Sequence, residues 1–239
     1  MMRIPGIQGE TSTAAKPPIF MQHGLFDSAD AFICNYADKA PAFVAARAGY
    51  DVWLGNTRGN KYSRKHVKYN PDLNREAFWD FDLEQMGQYD LPAELDYVTK
   101  YTGFEKVAYI GHSQGTAQMY YGLSYFEDYY ASKVSVFIAL GSVTLVEHAT
   151  ATYLTWTADN YDKVDDYLAL WNVHEIMANK DYWWNIEFHT WCNNFPDACF
   201  AKGETSVTSN PLWDDEDRYF VYGNHNPSGA SVRSLLFFA

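Results

Sequence analysis

Basic residues are scarce in this sequence, and their scarcity excludes one broad class of partner. There are 18 Lys and Arg against 30 Asp and Glu in 239 residues, so the formal net charge is −12. Nucleic acids are bound by clustered Lys and Arg, and the sequence therefore predicts no nucleic-acid partner. The one basic run, Arg58 to Lys68, is interleaved with Gly and Asn, which favours a solvated loop over an anion site.

Cysteine is also scarce. Cys34, Cys192 and Cys199 cannot all pair within one molecule. Cys192 and Cys199 are near enough in sequence to close a small disulfide loop that leaves Cys34 free, and a reduced pair fits the spacing almost as well. No second close pair of Cys or His stands at ligand spacing, so the sequence predicts no zinc site, and we expect no other metal or cofactor.

Long hydrophobic runs and targeting signals are absent as well. Val134 to Leu140 is among the longest apolar runs, and it is far too short to span a bilayer. Met1 to Lys16 is polar and Gly-rich, without the apolar core of a signal peptide. The near-match to a glycosylation sequon at Asn226-Pro227-Ser228 is excluded by its proline. The sequence thus predicts no transmembrane segment, and the chain by itself leaves the cellular location unknown.

Short apolar segments alternate with helix-favouring segments through the first 140 residues. This alternation predicts an α/β fold with a mostly parallel sheet and right-handed crossovers. The predicted strands are Pro18 to Gln22, Tyr50 to Leu54, Lys106 to Ile110 and Lys133 to Leu140, and the predicted helices are Ala40 to Ala48, Pro92 to Thr99 and Gln114 to Tyr125.

The alternation ends near Gly141, and acidic sequence dense in Trp and Tyr follows. We predict three parts: a core at residues 1–142, a largely helical insertion at 143–227, and a returning helix at 228–239. An insertion at this point would lie over the carboxyl edge of the sheet, where open α/β sheets bind ligands.

The most specific short motif is GHSQG, from Gly111 to Gly115. A Gly-x-Ser-x-Gly pentapeptide alone is weak, because chance supplies it in roughly one chain in twelve of this length. Here it joins a predicted strand directly to a predicted helix, which is the context that a nucleophile elbow requires. A sharp turn of this kind exposes the serine oxygen above the sheet, and flanking side chains would collide with backbone. We therefore predict Ser113 as a catalytic nucleophile.

An acyl-transfer site also needs two backbone N–H groups that bind the oxyanion of the tetrahedral intermediate. One is expected from Gln114, the residue after the nucleophile. The other is expected from the loop after an earlier strand, and His23-Gly24-Leu25 follows the first predicted strand. The N–H of Leu25 is the predicted second donor.

Five segments together resemble the acid lipase family, which includes gastric and lysosomal acid lipases. Their order and spacing also match, so the resemblance covers most of the chain from Met21 onward and is weakest in the middle of the insertion. The segments are MQHGLFDSAD (from Met21), GYDVWLGNTRGNKYSRKH (from Gly49), FWDFDLEQMGQYDLPAELDYV (from Phe78), GHSQGT (from Gly111) and NHNPSGASV (from Asn224).

The resemblance implies an α/β-hydrolase fold with helices on both faces of the sheet and a mobile, largely helical cap. It implies a serine esterase or lipase that cleaves triacylglycerols or sterol esters through an acyl-enzyme on Ser113, with Leu25 and Gln114 as oxyanion donors. It further implies a secreted or lysosomal protein that meets lipid esters at a lipid–water interface.

The acid and the base of the expected triad are not found after Ser113. The family order is Ser, Asp, His, yet no further strong strand–helix unit follows Leu140. We therefore expect a fragment truncated at both ends, nearly inactive by itself. The residues within the chain that could replace the triad acid or base are Glu147, His174, His189 and His225. For each of them, a surface or packing role is the favoured interpretation.

Three interpretations stay open beside the lipase. The chain could be an inactive fragment, a lipid-binding pseudo-hydrolase, or an acyltransferase that uses the same serine. A group of tryptophans after Gly141 either lines an acyl-chain or lipid-facing surface or forms the core of the insertion. Its members are Trp156, Trp171, Trp183, Trp184 and Trp191.

Overall fold

A computed structural model describes residues 1–9, 15–146, 148, 152–178, 190, 194–195 and 215–238. A five-stranded sheet in the order β1-β3-β2-β4-β5 dominates it. β2 pairs in parallel with both β3 and β4, β4 pairs in parallel with β5, and only β1 is antiparallel. The predicted, mostly parallel sheet is therefore confirmed. Its strands are Met2–Ile4 (β1), Pro18–Gln22 (β2), Asp51–Leu54 (β3), Val107–His112 (β4) and Val134–Leu140 (β5).

Helices follow the strands along the chain. The first six are Pro41–Arg47 (α1), Arg75–Trp79 (α2), Leu83–Gln85 (α3), Leu91–Thr102 (α4), Gln114–Tyr125 (α5) and Glu127–Lys133 (α6). Then come Thr152–Asp159 (α7), Tyr161–Leu170 (α8), Tyr219–His225 (α9) and Val232–Leu236 (α10). Short 3-10 helices form at Ala29–Phe32 and Glu216–Arg218, and a π-helical turn at Met86–Asp90 joins α3 to α4.

Both faces of the sheet are covered by helices, and β2 sends apolar side chains to each face in turn. Phe20 packs on one side with residues of α4, α5 and α6, whereas Ile19 and Met21 pack on the other with residues of α1 and the first 3-10 helix. Side chains of a strand alternate between faces, so this short strand supplies both cores. The predicted arrangement of helices on both faces is confirmed.

Helix α4 shows how local sequence builds one of these layers. Pro92 lies in its first turn, where a missing N–H costs nothing. Leu91, Leu95 and Val98 repeat at helical spacing and are fully buried against the sheet. Gly103 ends the helix with φ +76°, a left-handed conformation that glycine adopts without strain.

Strand β5 is apolar but poorly covered. Val136, Ile138 and Leu140 remain 48%, 41% and 42% exposed. Among the described residues β5 pairs only with β4, so its other edge carries no strand there.

The chain returns to the core in residues 215–238, which we call the return segment. The predicted helix over 228–239 is wrong at its beginning, because Ala230–Ser231 (β7) pairs antiparallel with Glu175–Ile176 (β6) and α10 starts only at Val232. The hydroxyl of Ser231 accepts from the N–H of Ser234, 3.0 Å away, and this N-cap sets the start of the helix.

The return segment is fastened to loops of the core at several points. The Arg218 guanidinium donates to the Cys34 carbonyl at 3.1 Å. The Ser228 N–H donates to the Phe26 carbonyl at 2.6 Å, and the Lys61 N–H donates to the Ser228 carbonyl at 2.8 Å. These bonds hold the segment beside the loops that follow β2 and β3.

None of the described helices is long and apolar enough to cross a membrane. Within the same residues, no group of three or more His, Cys, Asp or Glu side chains is placed to hold a metal ion.

Candidate active site

Ser113 occupies a strained turn between β4 and α5. Its backbone has φ 51° and ψ −117°, a region that residues with a side chain rarely adopt. Such a conformation costs about 1–3 kcal/mol and persists only where its surroundings enforce it. Here the Ser113 N–H donates to the Leu140 carbonyl at 2.9 Å, and the Ser113 carbonyl accepts from the N–H and the hydroxyl of Thr116 at 2.8 and 2.6 Å.

The two glycines of the motif are required by close backbone contacts. A methyl group on Gly111 would lie 2.7 Å from the carbonyl atoms of Gly115, and one on Gly115 would lie 2.5 Å from the Gln22 carbonyl oxygen. Carbon atoms do not approach backbone this closely, so the turn could not form with a side chain at either position. The strand–turn–helix geometry expected of the motif is therefore present.

The loop after β2 lies directly against this turn. Gln22 and Gly111 are paired across β2 and β4, and a methyl group on Gly24 would lie 3.1 Å from the Ser113 Cβ. Gln114 is buried at the first position of α5, where helix N–H groups lack intrahelical acceptors. The fold thus brings the loop that carries Leu25 to the same sheet edge as Ser113 and Gln114.

The buried ring of His23 forms hydrogen bonds that hold this loop. Its ring is 1% exposed, and its Nδ1 lies 2.8 Å from the Gly24 carbonyl oxygen. Its Nε2 lies 3.2 Å from the Thr57 N–H nitrogen and 3.1 Å from the Asn60 Nδ2. Burial lowers the pKa of His23 to about 4, so the ring is neutral above that pH.

The loop after β3 braces the loop after β2. The side-chain oxygen of Asn56 accepts from the Ala29 N–H at 3.1 Å and from the Asn60 amide at 2.8 Å. The Asn56 N–H in turn donates to Glu94 at 3.1 Å, and burial raises the pKa of that carboxyl to about 8. These contacts tie the loop after β3 to the loop after β2 and to α4.

A second polar cluster surrounds Asp30, which is 3% exposed. The Lys61 Nζ and the His225 Nδ1 lie 2.5 and 2.8 Å from the Asp30 Oδ2, and the Tyr62 hydroxyl lies 2.9 Å from it. Burial alone would raise the pKa of Asp30, yet it lies below its ordinary value because Lys61 and His225 form hydrogen bonds with the carboxylate. His225 on α9 is thereby tied to the core.

The histidines weighed as substitute bases are held elsewhere. His225 pairs with Asp30, and the His174 Nε2 contacts the Asn172 side-chain oxygen at 2.9 Å on the surface. Among the described residues neither ring forms a hydrogen bond with Ser113. Glu147 and His189 lie outside the described residues. The triad acid and base are therefore not assigned.

The basic run from Arg58 to Lys68 is in part the solvated loop that its composition favours, because Lys65 to Lys68 are exposed, whereas the cations before them form ion pairs. Arg58 binds Asp90 with its Nε 2.8 Å from the Oδ1, Lys61 binds Asp30, and Arg64 binds Asp72 at 3.0 Å. Asp90 and Asp30 lie far from Arg58 and Lys61 in sequence, so no local pattern reveals these two pairs.

The remaining predictions about single side chains fall partly within the structure. Cys34 is a buried free thiol, and burial raises its pKa to about 11, which makes it unreactive. Cys192 and Cys199 lie outside the described residues. Trp156 and Trp171 are 59% and 65% exposed, so neither is a core residue, and Trp183, Trp184 and Trp191 lie outside the described residues.

Comparison with known families matches residues 17–169 to the model of the alpha/beta hydrolase fold. Human lipase member K is 36% identical over 99% of this chain and 58% of its own length. Gastric triacylglycerol lipase of Rattus norvegicus is 35% identical over 99% of this chain and 59% of its own length. Human lysosomal acid lipase/cholesteryl ester hydrolase is 30% identical over 98% of this chain and 58% of its own length. The chain thus spans less than two thirds of these relatives.

Among solved structures, a Sulfolobus solfataricus protein described as a candidate lipase superposes with a TM-score of 0.62. The superposition covers 94% of this chain and 67% of that protein, at 12% sequence identity. At this identity the likeness concerns the fold alone.

Proposed function

This chain belongs to the alpha/beta hydrolase family and resembles its acid lipases over nearly all of its length, and from that premise we propose that it is part of a serine lipase. The proposed reaction is the cleavage of carboxylic esters of neutral lipids, with Ser113 as nucleophile. The observation that carries this proposal is the strained Ser113 turn, closed by Gly111 and Gly115 and faced by the Gly24 loop.

The proposed substrate class rests on the relatives. Their names specify triacylglycerols and cholesteryl esters, and a long-chain ester of either kind is presented at a lipid–water interface. Trp156 on α7 and Trp171 directly after α8 are exposed, and they supply apolar surface of the kind that contacts lipid. A secreted or lysosomal location is proposed on the same grounds of similarity.

The proposed mechanism has two acyl-transfer steps. The Ser113 oxygen attacks the ester carbonyl, and the N–H groups of Leu25 and Gln114 stabilise the negative charge on the carbonyl oxygen. Collapse breaks the ester C–O bond and leaves the acyl group on Ser113, and the released alcohol takes up the proton that the Ser113 hydroxyl lost on attack. Water then attacks the acyl-enzyme, and the free carboxylic acid leaves with Ser113 restored.

Replacement of Ser113 tests this function directly. In the complete lipase of which this chain is proposed to be a part, Ser113→Ala should lower the hydrolysis of an aryl butyrate by about a millionfold, to the background rate, because the acyl-enzyme cannot form. It should also abolish covalent labelling by a fluorophosphonate probe. Ser142→Ala is the matched control, since Ser142 is an exposed hydroxyl close to the same sheet edge.

The outcomes separate the alternatives. Labelling at Ser113 together with release of free fatty acid supports the lipase. Labelling with transfer of the acyl group to an added alcohol, and little free acid, favours an acyltransferase. Absence of labelling in the folded protein would sink the nucleophile assignment and favour a lipid-binding pseudo-hydrolase.

A further inference from the structure

We propose that His23 is a positioning residue that orients one of the two oxyanion donors. Its ring holds the Gly24 carbonyl, and the same peptide unit carries the Leu25 N–H. This inference rests on the proposed function, because only an acyl-transfer reaction uses that N–H. It assigns a purpose to a buried polar ring that the mechanism itself does not touch.

The hydrogen bonds of the ring determine its tautomer. The Thr57 backbone N–H can only donate, and it points at the His23 Nε2 from 3.2 Å. Nε2 must therefore be unprotonated and act as the acceptor. A neutral imidazole then carries its proton on Nδ1, which donates to the Gly24 carbonyl oxygen at 2.8 Å.

The geometry of the peptide bond transmits this contact to Leu25. In a trans peptide the C=O and the N–H point in opposite directions. The Gly24 carbonyl is drawn toward the buried ring, so the Leu25 N–H of the same unit must point away from the ring. Gly24 itself lies against Ser113, where a methyl group would come within 3.1 Å of the Ser113 Cβ. A peptide flip would turn the donor N–H away and replace it with a carbonyl oxygen.

The ring is held from its far side by the loop after β3. Thr57 and Asn60 contact Nε2, and Asn60 is bound in turn by Asn56. An aliphatic side chain could fill the same volume with no polar partners to satisfy. The His23 ring instead forms a polar bridge between the loops after β2 and β3. One end of this bridge is the bond to the peptide unit between Gly24 and Leu25, which carries the proposed oxyanion donor. The neutral state that the bridge needs agrees with the low pKa of His23.

Two substitutions separate the two ends of the bridge. In His23→Asn the amide nitrogen stands near the Nδ1 position and can still donate to the Gly24 carbonyl. In His23→Gln the amide oxygen stands near the Nε2 position and can still accept from the Thr57 N–H, but the side-chain donor to Gly24 is lost, and the Gly24 carbonyl keeps only the longer bond from the Asp27 N–H at 3.4 Å. Each variant removes one end of the same buried bridge, so each is the matched control of the other.

In the complete lipase proposed above, we expect His23→Gln to lower kcat for an aryl butyrate by about 100- to 1000-fold with KM unchanged, which is the loss that follows removal of one oxyanion donor. His23→Asn should keep kcat within about tenfold of the wild type. Thermal unfolding of both variants checks that their stabilities are similar. Equal losses of kcat in the two variants, or losses confined to KM, would overturn the proposal.

A spectroscopic measurement tests the arrangement without turnover. The 15N spectrum of the imidazole rings should show one neutral ring protonated at Nδ1, and that signal should disappear in His23→Asn. A His23 ring protonated at Nε2 overturns the proposal whatever the activity. Failure of the proposed function is seen separately, as equal hydrolysis by the wild type and Ser113→Ala.

Discussion

Strands β2 and β5 lie in one sheet and are both apolar, yet their surroundings differ sharply. β2 is buried along its whole length between β3 and β4. β5 pairs with β4 alone among the described residues and leaves Ile138 41% exposed. Apolar sequence therefore specifies that a segment forms a strand, whereas the position of the strand in the sheet decides how much free energy that segment contributes.

The difference also reaches the chemistry. β2 ends at Gln22, which His23 follows, and the backbone of Gln22 lies so close to Gly115 that no side chain fits at Gly115. β5 touches the same turn through one bond, from the Ser113 N–H to the Leu140 carbonyl. We infer that the proposed site depends on the packing around β2 far more than on the side chains of β5.

Truncation of a single apolar side chain in each strand should give the largest contrast. Phe20→Ala on β2 should lower the free energy of unfolding by about 3–5 kcal/mol, because it removes a fully buried ring from the core. Ile138→Ala on β5 should cost less than about 1 kcal/mol, since water already reaches that side chain. Urea denaturation measures both, and similar losses would show that β5 is as well packed as β2.

Acidification should act on the buried end of β2 and not on β5, which has no titratable side chain. The pKa of His23 is lowered to about 4 by burial, opposed by Gly24 and Asp30 and assisted by His112. The unfolded ring therefore binds a proton first, and stability falls as the pH decreases from about 6.5 to about 4. The expected loss is about 3 kcal/mol.

This pH effect is measured as a difference between the wild type and His23→Asn, which cannot titrate at this position. Glu94, whose pKa is raised, contributes the opposite slope in both proteins and cancels. Parallel curves of unfolding free energy against pH would mean that His23 is not buried in the neutral form.

A charge on β5 should have the smallest effect on stability. Ile138→Lys should change the free energy of unfolding by less than about 0.5 kcal/mol, as expected of an exposed site. It should nevertheless reduce self-association, because β5 has one unpaired edge in the described part of the chain and a lysine there opposes pairing with another chain. Light scattering at increasing concentration tests this against Ile138→Thr, which removes the apolar side chain without adding charge. Unchanged association in both variants would show that this surface does not drive it.

The sequence predicts the local elements of this fold but not the contacts between distant loops. The strands and helices around Ser113 follow from local patterns, and α5 forms at Gln114–Tyr125 as expected. The pairing of His23 with Thr57, and of Asp30 with His225, joins residues that are far apart in the chain. No period or motif encodes such contacts, because they arise only when the loops after different strands meet.

The start of α10 was mispredicted for a local reason of another kind. Apolar residues near the end of the chain favoured a helix from Ser228, but Ser231 caps the helix three residues later and β7 takes up the residues before it. A strand of two residues cannot be predicted without its partner, and that partner, Glu175–Ile176, lies far away in sequence.

The bonds that fasten the return segment have a consequence for the variability of the stretch between Gly141 and Asp215. Once both ends of a long segment are pinned to the same scaffold, its closure entropy depends only on the logarithm of its length. Doubling that length costs only about 0.6 kcal/mol. One end of the stretch is held by hydrogen bonds of the return segment. Ser228 bonds to Phe26 and Lys61, and Arg218 bonds to Cys34. Since β6 within this stretch is itself paired with β7, the part between β6 and Asp215 can change in length at little cost to the sheet.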